Sequence, residues 1–331
     1  MTPSLYAATG ASNAAELQEA MGTAAYNERM RRHYETFVSE DDFRRMAQIG
    51  LNAVRLPVLV CLGSQESDAS YISVVDYIDR AIEWAAKYDI RVLLDLATVP
   101  GGQGDSNDSP TTPEAVAEWH SSTNGRHVAL DVLERLADRY GEAESLLGIE
   151  LLDTPQMSVR KSLFTMTDGI PAHYLRNFYR DAYELVRSYM PEDKIVVFSS
   201  SGHPSEWKHF MRGAKYKNVY MDLHLYHYRD EYALDITSPR GLTTAISRNK
   251  RELKEAISTG SPCWWANGRA RRSLPTRRLR PRAAMLRARV YRQPAGFVWR
   301  RLPVGSSKRG RPRSALQHGT PARHSVRSSA A

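Results

Sequence analysis

Acidic residues are absent from the last 69 residues of this 331-residue chain. Residues 263–331 contain 18 lysines and arginines, 17 of them arginine, whereas residues 1–262 contain 28 basic and all 37 acidic side chains. The net charge of +9 therefore combines −9 in the first segment with +18 in the second. Soluble domains usually mix charges of both signs, so this break indicates two segments of different origin. We predict a partial enzyme-like domain over residues 1–262 and an arginine-rich, low-complexity tail over residues 263–331.

Cysteines and long apolar runs are also scarce. Only Cys61 and Cys263 are present, which excludes a disulfide framework and a cysteine-based zinc site. No apolar run approaches the roughly 20 residues that cross a bilayer. The first ten residues, MTPSLYAATG, lack the basic and apolar regions of a signal peptide. The sequence therefore predicts neither a membrane span nor an export signal, and it leaves the localisation unknown.

Strand-like and helix-like patterns alternate along residues 1–262. Ser39 and Asp42 have the spacing of a capping box at the start of a helix. Apolar runs typical of buried strands follow at intervals: RVLLDL (91–96), LLGIELLD (146–153), KIVVFS (194–199) and NVYMDLHLY (218–226). This alternation predicts a parallel α/β fold, either doubly wound or a barrel. Because Arg55, Asp153 and His224 lie at the carboxyl ends of strands, the pattern favours the active face of a barrel.

Several stretches in the correct order resemble glycoside hydrolase family 5, in its exo-β-1,3-glucanase branch. They are HYETFVSEDDFRRMAQIGLNAVRLPV, VVDYIDRAIEWAAKYDIRVLLDLATVPGGQ, LLGIELLDTP, NFYRDAYELVR and NVYMDLHLY. The resemblance implies a (β/α)8 TIM barrel that hydrolyses β-glucan with retention. Such chemistry uses two glutamates, one to protonate the leaving oxygen and one to attack the anomeric carbon. The resemblance further implies a β-glucan polysaccharide or oligosaccharide as partner, no metal, no organic cofactor and a typically secreted or cell-wall protein.

The position of the family's general acid/base carries a different residue here. The family has Asn-Glu-Pro at the end of its fourth strand, and this chain has Asp153-Thr154-Pro155. Threonine cannot act as a carboxylic acid near neutral pH. The resemblance therefore implies that the acid/base is lost at Thr154, and that Asp153 takes the place of the family's asparagine near the sugar 2-hydroxyl.

Three further residues match the family's substrate site. By resemblance, Arg55 supports the nucleophile, and His224 and Tyr226 line the sugar subsite. The alternative for Arg55 is a buried structural arginine, and the alternative for His224 is a core residue. Glu150 and Asp95 are interpreted as structural carboxylates of the barrel.

The family's nucleophile lies in a Gly-Glu-Trp-Ser stretch that should follow Pro262, where this chain reads CWWANGRARRS. The first seven of these residues can be written with the codons TGC TGG TGG GCG AAT GGT CGC, with the third bases chosen freely. Read from the third base, the same codons give Leu-Val-Gly-Glu-Trp-Ser. One deleted base therefore accounts for the missing nucleophile, and alanine codons read out of frame account for the arginines. We predict that the tail is a frameshift product; the alternative is a genuine segment that binds polyanions non-specifically.

These readings define an incomplete barrel. Strands two to six of the family are clear, strand one should precede Met1, and strands seven and eight should be lost behind the break. Open edges of a parallel sheet predict a poorly soluble or partly molten body without a cooperative thermal transition, followed by a disordered basic tail. The predicted function is that of a catalytically inactive relative of retaining β-1,3-glucan glycosidases. A non-catalytic glucan binder and a polyanion-binding tail are the alternatives.

Overall fold

A computed structural model describes residues 8–11, 14–58, 74–100, 102, 119–225, 238–267 and 297–298 of the chain. Its α-helices are α1 (Ala14–Met21), α2 (Thr23–Phe37), α3 (Glu40–Gln48), α4 (Val75–Lys87), α5 (Thr123–Tyr140), α6 (Ala172–Arg187) and α7 (Pro239–Ser258). Its strands are β1 (Ala53–Val58), β2 (Arg91–Leu96), β3 (Leu146–Glu150), β4 (Met157–Ser158), β5 (Ile170–Pro171), β6 (Ile195–Ser199), β7 (Val219–His224), β8 (Cys263–Asn267) and β9 (Phe297–Val298).

Seven of these strands form one sheet in the order β8-β7-β6-β3-β2-β1-β9. The first six are mutually parallel, and β9 is antiparallel to β1. Helices α4, α5, α6 and α7 each lie between two successive strands of the parallel set, which is the repeating unit of a TIM barrel. In the described part of the chain β8 and β9 are not hydrogen-bonded to each other, so the sheet stays open. The prediction of an incomplete α/β barrel is therefore confirmed.

The prediction that strand seven is lost after Pro262 is wrong. Cys263–Asn267 forms β8, which pairs in parallel with β7 on the side away from β6. The segment begins Cys-Trp-Trp-Ala, and apolar and aromatic residues favour strands. Without β8, the edge of β7 would expose unpaired backbone N–H and C=O groups. These groups can form hydrogen bonds with any segment that adopts a strand conformation. At the opposite edge, β9 pairs with Val54 and Arg55 of β1.

The two faces of the sheet differ in chemistry because successive side chains of a strand point to opposite sides. On β2, Val92, Leu94 and Leu96 belong to the main apolar core. The same core contains buried residues of α4, α5 and α6, so this is the helix-facing side. The alternate residue Leu93 packs instead with Ile195 and Val197 of β6. We call this second side the inner face; it also carries Asp95, Ser199 and Asp222.

Helix positions follow the expected signals. The backbone N–H of Ser39 donates to the Asp42 carboxylate at 2.9 Å, which confirms the capping box at the start of α3. On α6, the buried residues recur at helical spacing and include Leu175, Phe178 and Ala182. No helix in the described ranges is long and apolar enough to cross a membrane.

Gly148 sets the distance between β3 and β6. A Cβ atom at this position would lie 1.9 Å from the carbonyl oxygen of Ile195, so any side chain would force the two strands apart. The same pairing aligns Glu150 with Val197. Glycine at position 148 therefore helps to hold Glu150 in its place on the inner face.

Candidate functional site

A layer of polar side chains lies on the inner face near the carboxyl ends of the strands. It consists of Arg55 from β1, Asp95 from β2, Glu150 from β3 and Asp222 from β7, none of them more than 1% exposed. The register explains part of the layer, because Asp95 is the direct partner of Glu150. Burying four ionisable groups together requires that they pair with one another.

Arg55 is the centre of this layer. Its Nε atom donates to Glu150 Oε2 at 2.8 Å. Its Nη2 atom lies 3.0 Å from Asp95 Oδ2 and 2.9 Å from Asp153 Oδ1. One guanidinium thus forms ion pairs with three carboxylates from β2, β3 and the turn after β3. These contacts favour the structural interpretation of Arg55, Glu150 and Asp95, and a role of Arg55 toward a nucleophile stays a prediction.

His224 adds a second basic side chain to the polar layer around Arg55. Its Nε2 atom lies 2.5 Å from Asp222 Oδ2 and 3.7 Å from Asp153 Oδ1. The structure therefore brings together Arg55, Asp153 and His224, three residues that the sequence placed in the site. Sequence reasoning missed Asp222. Its signal was the alternation of β7, which puts residues 222 and 224 on one face of the strand.

Burial and mutual pairing set the charges of the site. Burial raises the pKa of Glu150 to about 8 and that of Asp95 well above its usual range, against the opposing pull of Arg55. Burial also acts on Asp153, but Arg55 and His224 outweigh it and lower the pKa of Asp153. For His224, burial disfavours the imidazolium, yet the Asp222 carboxylate prevails and raises its pKa. The ionised form of Asp153 is thus favoured, whereas burial makes Glu150 harder to ionise despite its contact with Arg55.

Thr154 has a strained backbone. Its φ angle is +33°, in the left-handed region that β-branched residues rarely adopt. Its side chain hydrogen-bonds to the neighbouring Asp153 carboxylate. The hydroxyl therefore supports Asp153, and the position supplies no carboxylic acid.

Two sequence predictions concern Tyr226 and the segment that forms β8. Tyr226 lies outside the described residues, so its place in the subsite stays a prediction. The residues of β8 are Cys-Trp-Trp-Ala-Asn, and none of them carries a carboxylate that could replace the family's nucleophile. The origin of the tail by a frameshift also stays a prediction.

Potential metal ligands are part of the site. In the ranges that the structure covers, Glu150, Asp153 and His224 each offer one ligand atom, and these atoms lie within 4.8 Å of one another. An imidazole with two carboxylates is a ligand set found for divalent transition metals.

Comparisons with known proteins agree with this architecture. The family model of cellulase (glycosyl hydrolase family 5) matches residues 14–261. The chain is 29% identical over 250 residues to the probable glucan 1,3-beta-glucosidase A of Aspergillus niger, covering 75% of this chain and 56% of that protein. It is 28% identical over 274 residues to the glucan 1,3-beta-glucosidase of Pichia angusta, covering 77% and 58%. The chain thus spans somewhat more than half the length of these relatives.

A solved structure shares the fold at low sequence identity. The rutinosidase from Aspergillus niger superposes with a TM-score of 0.55 at 18% identity, over 79% of this chain and 84% of that one. At such identity the likeness concerns the fold alone. The family match covers most of the chain and contains every strand of the parallel sheet from β1 to β7. This chain belongs to glycosyl hydrolase family 5, in its exo-β-1,3-glucanase branch.

Proposed function

We propose that this chain binds β-1,3-glucan at the carboxyl edge of its sheet and does not hydrolyse it. The observation that carries the proposal is the Asp153-Thr154 pair. Asp153 forms an ion pair with Arg55 at the position that by resemblance contacts the sugar, while the Thr154 side chain is not a carboxylic acid. Both curated relatives are named as glucan 1,3-beta-glucosidases, which supports glucan as the ligand class.

Retaining hydrolysis requires two carboxyl groups about 5–5.5 Å apart on opposite sides of the scissile bond. Asp153 is unsuited to protonate a leaving oxygen, because its pKa is lowered by Arg55 and His224 despite burial. Glu150 has the raised pKa of an acid catalyst, but its side chain is fully buried and bound to Arg55. Neither carboxyl therefore replaces the missing acid/base.

Binding places smaller demands on the site than catalysis. The Asp153 side chain is 23% exposed, so it can accept a hydrogen bond from a sugar hydroxyl. Arg55 and His224 hold it from behind, which fixes the direction of its oxygens. A carboxylate fixed in this way recognises a hydroxyl with little loss of side-chain entropy.

The test is calorimetric titration of the full chain with β-1,3-linked glucose oligosaccharides, together with an assay for released glucose. We expect saturable binding without glucose release, and weaker binding of β-1,4-linked oligosaccharides of equal length. Asp153→Ala should lower the affinity about tenfold, the cost of one charge-assisted hydrogen bond. Asp79→Ala is the matched control, because Asp79 is a partly exposed carboxylate paired with Arg139 on other elements. Glucose release by the unaltered chain, or no difference between the two variants, would refute the proposal.

The tail is a second candidate for function, on the observation that its 18 basic residues have no acidic neighbour in sequence. Such a segment should bind heparin or nucleic acid without sequence preference. The affinity should fall steeply with salt, because binding releases counterions. A marked preference for one nucleic-acid sequence at physiological salt would argue for an evolved tail and against its origin by a frameshift.

A further inference from the structure

We propose that Glu150, Asp153 and His224 form a binding site for one divalent transition-metal ion, with Zn²⁺ preferred. The ligand atoms of these residues lie within 4.8 Å of one another. Zn²⁺ binds nitrogen and oxygen ligands at about 2.0–2.2 Å in tetrahedral geometry, so two ligands of one ion lie roughly 3.5 Å apart. The ligand atoms must therefore approach one another by on the order of 1 Å when the ion binds. The proposal goes beyond glucan binding and does not depend on it.

The types of ligand select the metal. Mg²⁺ and Ca²⁺ prefer shells made of oxygen, whereas an imidazole nitrogen favours later first-row ions. With one nitrogen and two carboxylates, the site should bind Zn²⁺ more tightly than Mn²⁺, in accordance with the general order of divalent affinities.

A further observation concerns the buried carboxyl group of Glu150. This side chain is fully buried, and among the residues that the structure describes none forms a hydrogen bond with its Oε1 atom. A buried oxygen of this kind is costly unless something coordinates it. Arg55 binds the other oxygen, Oε2, so Oε1 is the atom left for a metal.

Arg55 and Asp222 determine how the ligands are held. Arg55 contacts one oxygen each of Glu150 and Asp153, and such partners orient metal-binding carboxylates in known sites. Asp222 Oδ2 lies 2.5 Å from His224 Nε2. A metal that binds this nitrogen displaces the proton between the two groups, and its binding to Glu150 displaces any proton that burial favours on that carboxyl group; both are released to solvent. Asp222 then lies beside the ion as a further carboxylate, which offsets the positive charge of Arg55.

The test is a calorimetric titration of Zn²⁺ into the full chain after treatment with a chelator. We expect one ion per chain, and an affinity reduced tenfold or more in Asp153→Asn and in His224→Gln. His203→Gln is the matched control, since His203 is also partly buried but lies on a different loop. Equal affinity in the unaltered chain and in both ligand variants, or no saturable Zn²⁺ binding by the unaltered chain, overturns the proposal.

Pulsed electron paramagnetic resonance of bound Mn²⁺ tests the unaltered protein, so the proposal stays falsifiable if the variants fail to fold. We expect weaker binding than for Zn²⁺ and magnetic coupling to the nitrogen of a single imidazole. Histidines of the tail are controlled by the double change His318→Gln and His324→Gln, which should leave the signal intact. A signal without nitrogen coupling, or one lost with the tail histidines, overturns the proposal.

Discussion

The helix-facing side of the sheet and its inner face are encoded by alternate residues of the same strands, yet the two faces differ in chemistry. The helix-facing side keeps the continuous apolar core of a family 5 barrel, with Val92, Leu94 and Leu96 fully buried. The inner face carries a polar layer around Arg55, and Thr154 follows β3 at the position where the family resemblance implies the general acid/base. Because the side-chain period is two, one set of positions can change without the other. Apolar core positions and polar site positions thus alternate within single strands.

The largest expected effect is a gain of hydrolysis when the chemistry of the inner face is restored. Restoring the Gly-Glu-Trp-Ser reading frame together with Thr154→Glu should give retaining hydrolysis of β-1,3-glucan, measured as glucose release. In the restored frame, glutamate at position 154 should be about 10²–10⁴-fold faster than threonine, the usual contribution of a general acid/base. Hydrolysis by either change alone at the rate of the combination would contradict the assignment of Thr154.

The second prediction concerns the contribution of the polar layer on the inner face to the stability of the strands. Replacing Arg55 by methionine removes the shared partner of Asp95, Glu150 and Asp153, and it should destabilise β1, β2 and β3 by about 3–5 kcal/mol. Since the open barrel predicts no sharp thermal transition, the measurement is hydrogen exchange of peptides from these strands. Arg135→Met, at an exposed helix pair with Asp131, is the control and should change protection little. Unchanged protection in the Arg55 variant would mean that the polar layer contributes nothing to the fold.

The third prediction concerns the strained backbone at Thr154, in the turn after β3. Thr154→Gly should stabilise the β3 peptide by about 1–2 kcal/mol, because glycine adopts a φ of +33° without the strain that threonine bears. Thr154→Val keeps the branched Cβ atom and should give no such gain. Exchange of the peptide that contains Asp153 measures both variants, and equal protection in the two would show that the backbone is not strained.

The smallest expected effect is a pH dependence of local stability at His203, which lies in the loop after β6. Burial lowers the pKa of His203 below its ordinary 6.5, so the folded state binds its proton less readily than the unfolded state. Its contribution to stability is complete above pH 6.5 and is lost as the pH falls through the lowered pKa. His203→Gln should therefore reduce the acid sensitivity of exchange near Trp207. An identical pH profile in both proteins would contradict this.

Sequence patterns predicted the helix-facing side better than the inner face. The continuous apolar runs located β2, β3, β6 and β7, since burial on both faces of a strand leaves a strong local signal. The network of Arg55 with Asp95 and Glu150 was beyond reach, because it depends on which strands become neighbours. Asp222 was missed although the alternation of β7 places it on the same face as His224. Only the structure shows that His224 is buried beside Asp222, so that the two side chains pair.

The pairing of β8 with β7 shows what the exposed edge of a strand requires of the segment that joins it. Hydrogen bonds between Met221–His224 and Cys263–Asn267 join backbone atoms, which every residue possesses. The pairing therefore depends on the length and the strand propensity of the added segment, and it requires no particular side chain. If the predicted frameshift is correct, the edge of β7 therefore accepts a newly encoded segment as readily as an inherited one.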